Sequence, residues 1–267
     1  MYGWYKVKKF YPVGVTRDEL WARHYEQDGQ QWTDPEEYRK QLFYPLLVKY
    51  LETGKKYLDA GCSIGGWLAF LRARGYDIVG VEQSPRIVAL AKRLNPTLPI
   101  QVADARHLPF EPLSFDGYLA IGTWEYAEDG TEAMAAEAAR ILKPGGLLVI
   151  EVLYSNPLRR WTYLPLKTLQ VWWREKIMRQ QATFAHHMFR KGDIHEILDQ
   201  QGFTIVEENP HDLPDENSHY GLWVDWPFLR GSRPYELNSL GRLLKRLLNA
   251  ASPWMIATGM FVVAKKK

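Results

Sequence analysis

Short apolar runs alternate with helix-like patterns through the middle of the chain. Between the runs, apolar residues recur at intervals of three and four, which is typical of helices that pack one face on a sheet. Strands and helices that alternate in this way predict an α/β protein with a parallel sheet. The five runs with the length of buried strands are residues 57–59, 77–81, 100–103, 115–121 and 147–153.

Helix signals between the strands support this pattern. Ser84-Pro85 is a typical helix start, because Ser caps free N–H groups and Pro fits the first turn. The helix that follows is expected to stop at Asn95-Pro96. A second helix is predicted over residues 131–142, and a turn over residues 143–146.

The two ends of the chain extend this core. Residues 1–54 are aromatic and charged, and we predict a helical cap with an N-cap region at residues 33–37 and an interruption at Pro45. Its apolar face is Leu42, Leu46, Leu47 and Leu51. We expect the cap to cover a sheet edge, and the aromatic residues that would lean over the site as a lid are Trp21, Tyr25, Trp32 and Tyr38. Residues 202–208 and 255–264 are predicted as the last two strands.

Composition limits the class of protein. The chain has 267 residues and a net charge of +3, which is too small to indicate nucleic acid by itself, and no such partner is expected. One cysteine excludes an internal disulfide and suits a reducing compartment. The first ten residues lack the apolar core of a signal peptide, and no apolar run reaches the roughly 20 residues of a membrane span. A cytoplasmic protein is expected.

A glycine-rich segment follows the first strand directly. The strand ends in Asp59, and Gly61-x-Ser63-x-x-Gly66 leads into a helix. Gly suits a tight turn that a ligand approaches closely, and ligands of such sheets lie over the carboxyl ends of the strands. Glu82 ends the second strand about twenty residues later, where an acid can accept hydrogen bonds from a ribose diol. Taken alone, the glycine pattern also fits a nicotinamide-dependent oxidoreductase.

Five motifs in order carry a family resemblance. They are Leu-Asp-Ala-Gly-Cys-Ser-Ile-Gly (58–65), Val-Gly-Val-Glu-Gln-Ser (79–84), Ala-Asp-Ala with Leu-Pro-Phe (103–110), Ser-Phe-Asp (114–116) and Arg-Ile-Leu-Lys-Pro-Gly-Gly (140–146). Together they resemble class I S-adenosylmethionine-dependent methyltransferases, in the branch that methylates small molecules and lipids. The resemblance implies a Rossmann-like, doubly wound sheet of seven strands with the last strand antiparallel. It divides the chain into a cap (1–54) and an S-adenosylmethionine-binding domain (55–267).

The resemblance also implies roles for individual residues toward S-adenosylmethionine. Asp59 would hold the glycine loop and the methionine end of the cofactor. Glu82 would bind the ribose, and Asp104 would accept from the adenine amino group. Ser63 replaces the middle glycine, which costs little if Ser63 takes an ordinary φ. The remaining residues expected at the cofactor are Gly61, Cys62, Gly65, Gln83, Ala105 and Ile121.

The candidate catalytic residues follow the fourth strand. The family often has Glu-His there, whereas this chain has Glu125-Tyr126, and a phenol with a pKa of about 10 is a poor base at neutral pH. Tyr126 could instead orient an acceptor. His187, in a His186-His187 pair expected on a helix, is a further candidate base. No cluster with metal-ligand spacing accompanies the pair, so no metal is expected.

An insertion after the fifth strand, at about residues 154–190, interleaves aromatic and basic residues. We expect it to be a lid over a small-molecule or lipid-like acceptor, or an amphipathic helix that merely packs on the domain. Residues 158–178 also have the composition of a helix that lies on a membrane surface. This insertion and the missing His keep a non-catalytic interaction module open as an alternative to the methyltransferase.

Overall fold

The computed structural model describes residues 5–11, 16–28, 34–41, 43–213 and 215–267. The strands within these ranges are β1 (Tyr5–Lys9), β2 (Lys56–Ala60), β3 (Asp77–Glu82), β4 (Ile100–Val102), β5 (Phe115–Ile121), β6 (Leu142–Leu153), β7 (Thr183–Met188), β8 (Phe203–His211) and β9 (Gly259–Lys266). The α-helices are α1 (Arg17–Asp28), α2 (Pro35–Arg39), α3 (Tyr44–Tyr50), α4 (Gly66–Arg72), α5 (Pro85–Leu94), α6 (Thr131–Ile141), α7 (Leu164–Lys176), α8 (Lys191–Gln200), α9 (Tyr220–Asp225) and α10 (Ser239–Ala251).

Seven of these strands form one sheet in the order β4-β3-β2-β5-β6-β9-β8. Neighbouring strands from β4 to β6 are parallel, while β9 runs antiparallel to both β6 and β8. The predicted α/β fold with an antiparallel last strand is therefore confirmed. The strand order reverses at β2 and β5, so the loops that leave these strands diverge and open a crevice at the sheet's edge.

The core lies on both faces of this sheet, because successive side chains of a strand point to opposite sides. Leu58 and Tyr118 pack on the face covered by α6 and α8, whereas Tyr57 and Leu119 pack on the face covered by α3, α4 and α5. All four are essentially inaccessible to solvent. The alternation holds each strand in register and thereby fixes where its carboxyl end lies.

Helix α5 begins as the sequence predicts. The Ser84 hydroxyl accepts a hydrogen bond from the Ile87 N–H (3.1 Å), and Pro85 occupies the first turn. The turn predicted at residues 143–146 is different, because β6 already starts at Leu142 and pairs there with Phe115. The register shifts before Gly117 pairs with Leu147, so the Pro-Gly-Gly residues form an irregularity within the strand.

The N-terminal cap differs from the helical prediction. Its first described element is β1, whose Tyr5-Lys-Val alternation has the period of a strand, and β1 pairs antiparallel with β7. Because β7 belongs to the insertion, the two segments predicted as separate lids share one small sheet. The His186-His187 pair lies on β7, so its prediction as helical was wrong.

The helical part of the cap consists, within the described residues, of three separate helices, α1, α2 and α3. Pro45 lies in the first turn of α3, where it is tolerated, and it does not interrupt a longer helix as predicted. Trp32, Thr33 and Leu42 lie outside the described residues. Within the described ranges, no helix combines the length and the hydropathy that crossing a bilayer requires.

Candidate functional site

A cavity of about 620 Å³ opens at the carboxyl ends of β2, β3 and β5. Its wall combines backbone from the glycine loop, carboxylates from neighbouring strands and aromatic rings from α1. Among the lining residues are Trp21, Tyr25, Gly61, Ser63, Glu82, Gln83, Asp104, Ala105, Arg106, Thr123, Tyr126 and Met134. Seven residues predicted at the site therefore share one cavity: Gly61, Ser63, Glu82, Gln83, Asp104, Ala105 and Tyr126.

The glycine loop is tied to the neighbouring strand by its backbone. The N–H groups of Gly61 and Cys62 both donate to the carbonyl oxygen of Val81, at 2.8 and 3.0 Å. Gly61 has φ +79°, and a Cβ atom there would lie 2.4 Å from both Oγ1 and Cγ2 of Thr123. Only Gly fits this position, because the backbone conformation and the close approach of Thr123 both exclude a side chain.

Ser63 does not adopt the ordinary φ that the sequence argument assumed. Its φ is +53°, in the left-handed region that favours Gly and costs other residues roughly 1–2 kcal/mol. In this conformation the Ser63 N–H donates to Oε2 of Glu82 (3.2 Å). The strained turn thus brings the loop backbone against the carboxylate at the end of β3.

Glu82 is held from two sides. The Ser84 N–H donates to its Oε1 at 2.9 Å, opposite the bond from Ser63. Burial raises the pKa of Glu82 above its ordinary value, although the Ser84 and Ser63 N–H groups oppose that shift. Each carboxylate oxygen keeps a second lone pair that can accept a hydrogen bond from a ligand.

Asp59 lies beneath the loop, at the end of β2, and does not line the cavity itself. Its side chain is almost fully buried, and burial, with a smaller contribution from Glu82, raises its pKa to about 7. In the described part of the chain, neither Asp59 nor Glu82 forms an ion pair. Two neighbouring buried acids without a compensating cation suit a ligand that carries positive charge.

Asp104 lies two residues after the end of β4 and pairs with a residue that the sequence argument missed. The Arg106 guanidinium donates to both Asp104 oxygens, at 2.6 to 3.0 Å, and the Arg106 N–H adds a bond of 2.9 Å. These bonds lower the pKa of Asp104. The only sequence signal was a basic residue two positions after the acid.

Besides Asp59, three residues predicted at the cofactor lie away from the cavity surface. Cys62 is buried in the core beneath the loop, where its Sγ would lie 2.7 Å from a Cβ on Gly80 of β3. Gly65 caps the start of α4 with φ +80°. Ile121 packs at the edge of the same core cluster as Cys62.

The residues predicted as catalytic are separated. Tyr126 lines the cavity, with its ring 5.4 Å from Trp21, and burial raises the pKa of its phenol. Glu125 is buried, and its Oε2 has no hydrogen-bond partner among the described residues; burial and then Glu151 raise its pKa well above the ordinary value. His187 is also buried, and its Nε2 lies 3.0 Å from the Glu128 carbonyl oxygen.

The neighbouring histidine, His186, contacts Tyr126 at the cavity wall. The ring of His186 lies 6.3 Å from that of Tyr126, and its buried Nε2 has no partner in the described ranges. Burial, with contributions from Lys9 and Arg159, lowers the pKa of His186 to about 3. The sequence could not separate the two histidines, because their order on the strand decides which one faces Tyr126.

A second polar group missed by the sequence lies behind Gly122. A Cβ atom at Gly122 would be 3.5 Å from Oε2 of Glu151 and 3.9 Å from Oε1 of Glu125. Oε1 of Glu151 lies 2.9 Å from Nε2 of His211. Glu151 falls inside an apolar strand pattern, and His211 is 60 residues away in sequence, so their contact has no local signal.

The fold is that of class I S-adenosylmethionine-dependent methyltransferases. Residues 58–150 match the family described as "Methyltransferase domain". A solved S-adenosylmethionine-dependent methyltransferase from Methanosarcina mazei has the same fold, with a TM-score of 0.58 at 18% identity over 84% of this chain and 97% of that one.

Two curated relatives are similar over about half of the chain. One is the 2-methyl-6-phytyl-1,4-hydroquinone methyltransferase of Synechocystis, 33% identical over 134 residues, which are 49% of this chain and 40% of that protein. The other is the ubiquinone biosynthesis O-methyltransferase of Alkalilimnicola ehrlichii, 29% identical over 144 residues, which are 48% of this chain and 57% of that protein. The chain therefore spans about half the length of these relatives.

Proposed function

We propose that the protein transfers a methyl group from S-adenosylmethionine to a small, largely apolar acceptor that carries a phenol-type hydroxyl, such as a hydroquinone. The observation that carries this proposal is the pair of buried acids, Asp59 and Glu82, around a glycine loop at the mouth of a cavity. The names of the two relatives, which act on a phytyl hydroquinone and in ubiquinone biosynthesis, support the acceptor class.

The residues of this chain fit the donor at several points. Glu82 would accept hydrogen bonds from the ribose hydroxyls with its remaining lone pairs, and Asp104 would accept from the adenine amino group while it stays paired with Arg106. Asp59 would offset the positive charge of the methionine end. When bound, S-adenosylmethionine would supply a sulfonium methyl group, which passes to the acceptor atom as the carbon–sulfur bond breaks and S-adenosylhomocysteine leaves.

The acceptor's side of the site would be formed by aromatic rings. Trp21, Tyr25 and Tyr126 line the cavity, with Trp21 stacked on Tyr25 at 5.9 Å and edge-on to Tyr126. Such rings exclude water and position a flat, apolar molecule. Positioning of this kind accounts for much of the catalysis of a direct displacement.

The pKa values favour a phenolic acceptor over an aliphatic alcohol. Burial raises the pKa of Tyr126, and burial with the neighbouring Glu151 raises the pKa of Glu125, while burial lowers the pKa of His186 to about 3. The His186 imidazole is therefore a weak base, and the Tyr126 phenol stays protonated at neutral pH. A phenol has a pKa of about 10 and therefore ionises without the help of a base far more readily than an aliphatic alcohol does. His186 would then orient the acceptor through its free Nε2.

Calorimetric titration with S-adenosylmethionine tests the donor site. We expect Glu82→Ala to weaken binding at least about tenfold, since it removes hydrogen bonds to a charged group worth roughly 1.5–3 kcal/mol. Asp77→Ala is the matched control, because Asp77 is an exposed acid at the opposite end of the same strand. Wild-type affinity in Glu82→Ala, or binding of NADH in preference to S-adenosylmethionine, would contradict the donor assignment.

Turnover tests the acceptor class separately. Labelled methyl groups should appear on hydroquinones with an apolar substituent and not on aliphatic alcohols of similar size. Product mass spectrometry would show whether oxygen or a ring carbon is methylated. Tight donor binding without transfer to any phenolic acceptor would refute the acceptor class and favour a non-catalytic role.

A further inference from the structure

Helix α7 turns an apolar surface toward solvent. One stripe of the helix, formed by Leu166, Leu169, Trp173 and Ile177, is 48 to 62% exposed, and Trp161 in the preceding helical turn is 78% exposed. A soluble surface rarely presents this many large apolar side chains together unless it contacts something. We name this stripe together with Trp161 and Trp172 the outer face of α7.

The opposite side of α7 already packs on the protein. At about 100° per residue, Leu164, Thr168, Val171 and Glu175 lie roughly half a turn away from the outer face. Leu164 and Val171 are buried, the Thr168 hydroxyl lies 2.6 Å from the Tyr5 hydroxyl, and Glu175 pairs with Lys8 of β1 at 3.1 Å. The exposed stripe is therefore not a core face that lacks its packing partner.

Positive charge is concentrated beside this face. Residues 158–179 contain six basic residues and one acid. One of the six, Arg159, is buried and paired with Asp225, so five basic side chains remain against one acid, a formal charge of +4, whereas the whole chain carries +3. The single acid, Glu175, is offset by Lys8. On the helix, Lys167 and Arg174 flank one border of the apolar stripe and Lys176 flanks the other.

We propose that the outer face of α7 docks on the surface of an anionic lipid membrane. An apolar stripe bordered by basic residues is the pattern of a helix that lies in the interface, with its apolar side among the lipids and its cations at the headgroups. Trp161, Trp172 and Trp173 suit the boundary between lipid and water. This inference does not depend on the proposed methyl transfer.

Helix α10 offers a matched comparison. Leu240, Leu243 and Leu247 are 54 to 61% exposed, so this helix also has an outward apolar face. However, α10 contains no Trp, and two of its three basic side chains are bound within the protein. The Lys245 ammonium donates to the carbonyl oxygens of Asp215, Glu216 and Ser218, and the Arg242 guanidinium donates to the Leu237 carbonyl oxygen and the Ser239 hydroxyl. We therefore assign membrane contact to α7 and not to α10.

Co-sedimentation of the full chain with phospholipid vesicles tests the proposal without cofactor or turnover. Wild type should bind vesicles that contain phosphatidylglycerol, bind neutral phosphatidylcholine vesicles much more weakly, and lose affinity as salt rises. Leu169→Ser/Trp173→Ser should reduce the partition coefficient about tenfold or more. Lys167→Gln/Arg174→Gln should reduce it about fivefold for each charge removed. Leu240→Ser/Leu247→Ser, which changes equally exposed leucines on α10, should bind like wild type.

Several results would overturn the proposal. Absence of wild-type binding to anionic vesicles would do so, as would unchanged binding by both α7 variants or a loss confined to the α10 variant. A concentration-dependent dimer in sedimentation equilibrium that Leu169→Ser/Trp173→Ser abolishes, without vesicle binding by wild type, would show that a second copy covers this face. Thermal melting of each variant confirms that the exposed substitutions leave the fold intact.

Discussion

Gly61→Ala is expected to separate two reasons for a glycine at the floor of the cavity. The substitution places a Cβ at φ +79°, which costs roughly 1–2 kcal/mol for an L-residue. That Cβ would also lie 2.4 Å from Oγ1 and Cγ2 of Thr123, more than 1 Å inside ordinary contact. Overpacking of this kind costs about 1–3 kcal/mol more. The variant should therefore lose about 2–5 kcal/mol in its free energy of unfolding.

Gly54→Ala is the matched control for the backbone cost. Gly54 has the same φ of +79°, but no atom lies within 4 Å of the position of its Cβ. We expect it to lose only about 1–2 kcal/mol. Thr123→Ala in the Gly61→Ala background removes the two atoms at 2.4 Å and leaves Cβ at 3.0 Å, so it should recover part of the difference.

Urea unfolding followed by circular dichroism measures all three variants, and titration with S-adenosylmethionine reports on the loop. Gly54→Ala should keep donor affinity, because Gly54 precedes β2 and lies away from the cavity. Gly61→Ala should weaken it. Equal destabilisation by the two single variants, or no recovery on adding Thr123→Ala, would refute the argument that Thr123 packs against the loop.

Three further predictions concern other strained or buried positions. Ser63→Gly should raise the free energy of unfolding by about 0.5–1 kcal/mol in urea melts, because Ser63 occupies the left-handed region at φ +53°. Asp225→Asn should lower the free energy of unfolding by about 3–5 kcal/mol in the same assay. The substitution removes the carboxylate that lies 2.5 Å from Nε of Arg159 and so leaves a buried guanidinium without its ion-pair partner. Asp59 has a pKa of about 7 when folded against an ordinary 3.8, so the folded protein holds this proton more tightly. The protonated Asp59 therefore stabilises the fold fully below about pH 4, and this stabilisation is lost as the pH rises to about 7. Asp59→Asn should make the free energy of unfolding in urea melts change less between these pH values.

The central sheet could be predicted from sequence because its signals are local. Each strand from β2 to β6 is a short apolar run, and β5 has the predicted bounds. Ser84-Pro85 starts α5 as expected because a cap and a proline act within one turn. The carboxyl ends of parallel neighbours meet at one edge, so Glu82, Asp104 and the glycine loop could be placed together without a structure.

The elements whose secondary structure was predicted wrongly depend on contacts between distant segments. Strand β1 is five residues long, so its alternation is too short to predict a strand by itself, and it is stabilised by β7, which lies more than 170 residues later. The same pairing turns His186 and His187 from a predicted helix into a strand, where adjacent side chains face opposite ways. Similarly, the arginine that engages Asp104 could not be distinguished from an ordinary surface residue.

The residues with destabilising features, namely buried acids without an ion pair and a strained backbone, also lie close together. Asp59, Glu82 and Glu125 are buried acids that form no ion pair in the described part of the chain, and Ser63 adopts a backbone conformation that favours glycine. Each of these features lowers stability, and a core chosen for packing alone would replace them with apolar residues or glycine. All four positions lie on or just beneath one cavity at the edge of the sheet, where strain and uncompensated charge are retained when they serve a ligand. A cation with hydrogen-bond donors, bound there, would relieve the charge that the folded chain leaves unbalanced.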